Sequence, residues 1–210
     1  MSIYTVINDL GESYIMIPEI FNTFYFPWEM DFLYAIQNIR SAPLDVIMKI
    51  ITTLGNGGIL WIVIAIILAI IPKTRKCGLT MGFAMAITFI LGNLVFKNLL
   101  MRGRPCWVDT SIDMLVKIPK DFSFPSGHTM NGVTASLCLF FYYKKPGIAA
   151  IIVACAIAFS RMYVFVHWPT DIICGALLGA IDAVIAFFVV KKIYELVQKR
   201  INKNKSGLNG

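Results

Sequence analysis

The chain holds only two histidines, His128 and His167, and each stands in a short polar motif within an otherwise apolar sequence. His128 closes Pro125-Ser126-Gly127-His128, and His167 lies between Ser160-Arg161 and Asp171. Upstream, Lys97 is followed after six residues by Arg104-Pro105. Two imidazoles, three cations and a carboxylate fit a single site that binds an anion and does acid–base or nucleophilic chemistry on it. Arg grips phosphate through parallel N–H donors, and Lys adds a mobile point charge. Ser126-Gly127-His128 opens a predicted helix, whose free N–H groups and dipole favour an anion. Gly127 there lets the backbone approach closely. Asp171 can accept a hydrogen bond from one nitrogen of His167 and leave the other nitrogen's lone pair free, which suits a nucleophile. His128, on a different helix, is the candidate proton donor. The implied reaction is phosphoryl transfer through a phosphohistidine on His167, with Lys97, Arg104 and Arg161 stabilising the transferred oxygens.

Each piece has a plainer meaning alone. Lys97, Arg102 and Arg104 read as cations snorkelling to a membrane interface, Asp171 as a helix cap, and His167-Trp168-Pro169 as part of an aromatic belt. What those readings leave unexplained is the joint occurrence of the motifs in a chain that is 58% hydrophobic with a mean hydropathy of +0.72.

The elements that position these motifs are membrane helices. Apolar runs, uncharged but for Asp182 in the last, recur at roughly 58–71, 78–96, 129–143, 147–160 and 172–190, several of them near the ~20 residues that cross a bilayer core. We expect an all-α polytopic bundle of about five spans, since only helices or closed barrels satisfy their backbone in lipid, and no barrel-like alternation is visible. Residues 1–42 mix aromatic and aliphatic residues with five carboxylates and two prolines. They read as interfacial helices, or as a sixth span, and no cleaved signal peptide is apparent. The domain expectation is one unit: 1–42 interfacial, 54–192 a transmembrane catalytic core, and 193–210 a basic tail.

The net charge of +7 follows this topology and does not suggest nucleic acid. Lys73, Arg75 and Lys76, then Lys144 and Lys145, then the lysines and arginines from Lys191 onward, fall on one side of a five-span bundle. By the positive-inside rule that side is cytoplasmic. All three polar motifs then face the extracytoplasmic side. The five cysteines are scattered and support neither a disulfide framework nor a zinc site. No cofactor or metal is expected, Asp182 within the last run has no assigned role, and the sequence does not fix an oligomeric state.

The three motifs resemble the signature of the type 2 phosphatidic acid phosphatases, the lipid phosphate phosphatases. The match covers Lys97, Arg104, Pro105, Pro125, Ser126, Gly127, His128, Ser160, Arg161, His167 and Asp171, without departure. The resemblance implies His167 as nucleophile, Asp171 orienting it, and His128 as general acid. It also implies Lys97, Arg104, Arg161, Ser126 and Gly127 as phosphate ligands, chemistry without a metal, and inhibition by vanadate. The expected substrate is a membrane lipid phosphate met at the bilayer surface. Undecaprenyl diphosphate is preferred, with phosphatidylglycerol phosphate and phosphatidate as alternatives, and Trp107 and the 108–121 loop as headgroup contacts. Transfer of the phosphoryl group to a second lipid, and a lipid or anion transporter on the same bundle, stay open as other readings.

Overall fold

The computed structural model describes residues 4–7, 13–16 and 24–207. Tyr4–Ile7 (β1) and Ser13–Met16 (β2) pair as an antiparallel hairpin, where the sequence led us to expect helix. Tyr, Thr, Val and Ile in these segments favour extended backbone. Helix begins at α1, Pro27–Asn38, with Pro at its first position and Glu29 in its first turn. Both features favour a helix N-terminus. Residues 1–3, 8–12 and 17–23 of the expected interfacial region lie outside the described residues.

The bundle follows. Helix α2 (Ala42–Leu54) meets α3 (Ile59–Ile70) through a tight turn at Asn56–Gly58. The pair bends by 42° and together is long and apolar enough to cross a membrane. Gly57 and Gly58 have φ of 59° and 67°, a left-handed conformation that glycine adopts without strain. Helix α4 (Arg75–Thr88) continues through a π-helical stretch, Phe89–Phe96, into α5 (Lys97–Leu100). A short α6 (Pro105–Val108), a loop, α7 (Gly127–Tyr142), α8 (Lys144–Tyr163) and the long α9 (Pro169–Gly207) complete the chain. The α4–α5 unit, α8 and α9 each satisfy the length and hydropathy of a membrane span. The fifth member, α7, is shorter at 16 residues.

Helix α7 packs on α4, α8 and α9. Small residues let it do so: a Cβ on Gly179 would sit 2.6 Å from the carbonyl oxygen of Met130. Trp61, Met81, Ala135, Cys138, Ile157 and Ala183 form the buried core between the spans. A second cluster at one end gathers Leu33 and Ile36 of α1 with Trp107, Tyr163, Phe165 and Trp168. Outward-facing Ile66, Phe83, Ile90, Leu177 and Phe188 present an apolar exterior, as a bundle in lipid requires.

The basic segments share the opposite end. Tyr143 donates from its hydroxyl to the carbonyl of Lys73, and Lys76 lies over the ring of Tyr194. Asp182 also acquires a role. Thr88 donates to Asp182 Oδ2 at 2.8 Å and meets Thr134, which donates to the Gly179 carbonyl. That buried chain of side chains ties α4, α7 and α9 together inside the bundle, where an unpaired carboxyl is costly.

Candidate active site

Four helix ends meet at the end of the bundle away from the basic segments. They enclose a cleft of about 280 Å³ lined by Lys97, Arg104, Gly127, His128, Arg161 and His167, with Asp121, Asn93 and Gly55 among its other walls. Helix α5 supplies Lys97, the entry to α6 supplies Arg104, and α7 opens with Gly127 and His128. Arg161 comes from the last turn of α8 and His167 from the 164–168 connection to α9.

His167 is almost wholly buried. Its Nδ1 lies 3.3 Å from Asp171 Oδ2, and its Nε2 lies 3.2 Å from Arg104 Nη1. A guanidinium has only donors, so Nε2 carries the lone pair and the Nδ1 proton faces Asp171. Burial and the cations Arg104, Arg161 and Lys97 hold the imidazole well below the ordinary histidine range, which keeps it neutral. A free lone pair on Nε2 therefore exists in the resting site and points at Arg104.

Asp171 is held from two further directions. Trp168 N donates to its Oδ2 at 2.9 Å, and Arg102 donates to its Oδ1 at 2.6 Å. Arg102 also donates to Glu29 Oε2 at 2.7 Å and to Thr170 Oγ1. Glu29 Oε1 in turn accepts from the Thr170 N–H and hydroxyl. Glu29–Arg102–Asp171–His167 is thus a continuous buried relay, and Arg102 is a buried partner of Asp171 where an interfacial snorkelling cation was expected. Glu29 was not singled out from the sequence, because residues 1–42 carry no motif.

Arg104 is fixed by the carbonyls of Asp121, Phe122 and Val166 and by the carboxylate of Asp121 at 2.9 Å. The same carboxylate binds Lys97. Burial works against charge on Asp121, but Arg104 and Lys97 outweigh it and hold its carboxyl below the ordinary range. Asp121 therefore occupies, as a carboxylate, the two cations that were expected to hold phosphate. It too was missed in the sequence, where it is one acid among several in a loop.

Ser126 stands at the N-cap of α7. Its Oγ faces inward and accepts from Thr129 N and Thr129 Oγ1, so it caps α7. The cap leaves the first-turn N–H groups of Gly127 and His128 as the helix's unpaired donors. His128 donates from Nε2 to Asn56 Oδ1 at 3.1 Å. It packs so closely on the preceding turn that a Cβ on Gly55 would lie 2.4 Å from its Cδ2. Arg161 donates to Thr52 Oγ1 at 2.6 Å, while its buried Nε has no hydrogen-bond partner.

A profile of the PAP2 superfamily matches residues 77–195, more than half of the chain. The chain belongs to the PAP2 superfamily. It is 35% identical over 140 residues to an undecaprenyl-diphosphatase of Sulfolobus acidocaldarius, covering 66% of this chain and 67% of that one. Among solved structures it is similar to LpxE of Aquifex aeolicus, with a TM-score of 0.68 and 26% identity over 81% of this chain and 98% of that one. It is also similar to a transmembrane PAP2-type phosphatidylglycerolphosphate phosphatase of Bacillus subtilis, with a TM-score of 0.63 and 29% identity over 81% and 86%. As a PAP2 protein it is a membrane-embedded phosphoester hydrolase.

The PAP2 cleft does not end at its polar walls. Gly57, Phe89 and Asn131 belong also to an apolar groove of about 620 Å³ between α3 and α4. The groove continues past Ile62, Ala65 and Phe83 towards Ala69 and Gly78.

Proposed function

We propose that this protein is a metal-independent lipid diphosphate phosphatase, with undecaprenyl diphosphate as its substrate, and that its site faces the extracytoplasmic side. The observation that carries the reading is the meeting of His167, His128, Lys97, Arg104 and Arg161 in one cleft that runs on into an apolar groove between two membrane helices. A phosphate with a long hydrocarbon chain matches that pairing of walls, and the undecaprenyl-diphosphatase relative supports the choice of chain. The basic segments at the other end support the orientation.

The chemistry runs in two steps. His167 Nε2 attacks phosphorus as the bond to the leaving oxygen breaks, and His128 gives that oxygen its proton. The developing charge on the transferred oxygens meets Lys97, Arg104, Arg161 and the N–H groups of Gly127 and His128. Water then attacks the phosphohistidine, His128 takes its proton, and the P–N bond breaks to free phosphate and neutral His167. Asp171 and Arg102 hold the Nδ1 proton in place throughout. Residues 54–192 form the catalytic unit in this reading, with α1 contributing Glu29 to it.

The test is phosphate release by purified protein in excess chelator from undecaprenyl diphosphate, phosphatidylglycerol phosphate and phosphatidate. Fastest turnover of undecaprenyl diphosphate is the expected result. Preference for a glycerophospholipid would move the substrate, and silence on the whole panel would sink the reading. Sidedness is checked by a single cysteine in the 108–120 loop on a cysteine-free background. It should react with an impermeant thiol reagent in intact cells.

A further inference from the structure

A second cavity, of about 540 Å³, adjoins the catalytic cleft and shares Pro119 and Arg161 with it. Asn56, Lys117 and Lys120 complete its polar wall. The loop that carries the two lysines is pinned in place: Trp107 donates from Nε1 to the Pro119 carbonyl, and Arg40 donates to the Asp113 carbonyl. We infer that this vestibule is a binding subsite for the second phosphate of a diphosphate substrate, the phosphate that stays with the lipid. The inference rests on the phosphatase reading and assigns that substrate a place in the site.

Position is the first reason. The transferred phosphate lies against His167, so the leaving oxygen lies within reach of His128. His128 is hydrogen bonded to Asn56, and Asn56 lines the vestibule. A group attached to the leaving oxygen therefore stands at the mouth of the vestibule. Gly57, the next residue, lines the apolar groove, so the groove opens beside the residue that lines the vestibule and can take the chain that leaves the inner phosphate.

Charge is the second. The residues lining cleft and vestibule include five cations, Lys97, Arg104, Arg161, Lys117 and Lys120, and one carboxylate, Asp121. Among the described residues neither lysine of the loop has an ion-pair partner, and nor does Arg161, itself nearly fully buried. A phosphate monoester brings about two negative charges, which the catalytic cleft alone can meet. A second phosphate gives the loop lysines their counter-ion, with Arg161 at the wall that the two cavities share.

The subsite also serves the bond-breaking step. As the His167 Nε2–P bond forms and the P–O bond breaks, the bridging oxygen departs with the inner phosphate and takes the His128 proton. The electron pair of the broken bond goes to that leaving phosphate, and Lys117, Lys120 and Arg161 surround it.

The experiment compares farnesyl diphosphate with farnesyl phosphate, two substrates with one chain, for wild type and the Lys117→Gln/Lys120→Gln variant. Both lysines are exposed, so the fold does not depend on them. The variant should lose about tenfold or more in kcat/KM on the diphosphate and less than about twofold on the monophosphate. Inhibition by orthophosphate should not change. Equal losses on both substrates would mark long-range attraction and overturn the subsite, as would no loss on either. Weaker orthophosphate inhibition with an unchanged substrate ratio would assign the vestibule to free phosphate instead. Wild-type protein inactive on these two compounds and on undecaprenyl diphosphate would fail the phosphatase reading itself, a result distinct from each of these.

Discussion

Arg102 donates from Nη1 to Asp171 Oδ1 at 2.6 Å, on the opposite side of the carboxylate from the oxygen that faces His167. The guanidinium thus sets the angle at which Asp171 presents itself to His167, without touching the cleft. Its other arm is spent on Glu29, and both carboxylates are fully buried.

Replacing Arg102 with Gln leaves two buried carboxylates without their common cation. Loss of one partner from a buried pair costs about 3–5 kcal/mol, so the variant should melt well below wild type in detergent and lose most of its activity. Arg102→Lys keeps the charge but not the fork, and should recover part of the stability. An Arg102→Gln protein with wild-type melting and turnover would remove the relay from the account.

Asp121 predicts a gain. Its carboxylate sits on Lys97 and Arg104, so an incoming phosphate competes with it. Asp121→Asn should therefore tighten inhibition by vanadate and orthophosphate, by about tenfold for each 1.4 kcal/mol of competition removed. Weaker inhibition would show instead that Asp121 holds the two cations in their working positions.

The two histidines divide the labour in a way that kinetics can separate. His167→Ala should reduce phosphate release by about 10³-fold or more and leave no acid-labile phosphoenzyme on quenching. His128→Ala should reduce turnover by about 10²–10⁴-fold. It should do so less severely for a substrate whose leaving group, such as a nitrophenolate, departs without a proton. A phosphoenzyme persisting in His167→Ala would assign the nucleophile elsewhere.

The pH response of His167 follows from its surroundings. A lowered pKa extends the neutral form to lower pH, so His167 should not be the group that limits activity as pH falls through the ordinary histidine range. In a His128→Ala protein labelled with 15N-histidine, one imidazole remains to be observed. It should keep the Nδ1–H neutral pattern between about pH 7.5 and about pH 5.5. A midpoint near 6.5 would contradict the buried, cation-flanked environment.

Gly55 gives a purely steric test. A methyl group there meets His128 Cδ2 at 2.4 Å and Ile157 Cγ2 at 2.7 Å. Gly55→Ala should displace the imidazole and lower kcat by about 10²-fold, the order of loss that a misplacement of about 1 Å brings. Binding of vanadate, which needs the cations more than the acid, should change less.

Much of this site was legible because polar residues are conspicuous in an apolar chain. His128, His167, Lys97, Arg104, Arg161 and Asp171 lie in local motifs, and positive-inside topology brings those motifs to one end. What stayed hidden had no local signature. Glu29 meets Thr170 across 141 residues, and no spacing rule connects them. Arg102 stands two residues from Arg104 and differs from it only in the direction its side chain takes. Asp121 is chosen from Asp109, Asp113 and itself by loop geometry alone. The turn at Asn56–Gly58 carries no signal that Asn56 would hold His128. The β1–β2 hairpin was missed because its Tyr, Thr, Val and Ile also suit an interfacial helix.

The 141-residue separation of Glu29 and Thr170 also sets a clock on the protein's birth. Ribosomes deliver α1 long before α9, so Glu29 and Arg102 wait for Thr170 and Asp171 while α7 and α8 are threaded into the bilayer. Only when Thr170 and Asp171 emerge do the waiting groups close around the last connection. His167 stands just before the last long helix, and Thr170 and Asp171 lie at its start, so the cleft has all its walls only once that helix docks.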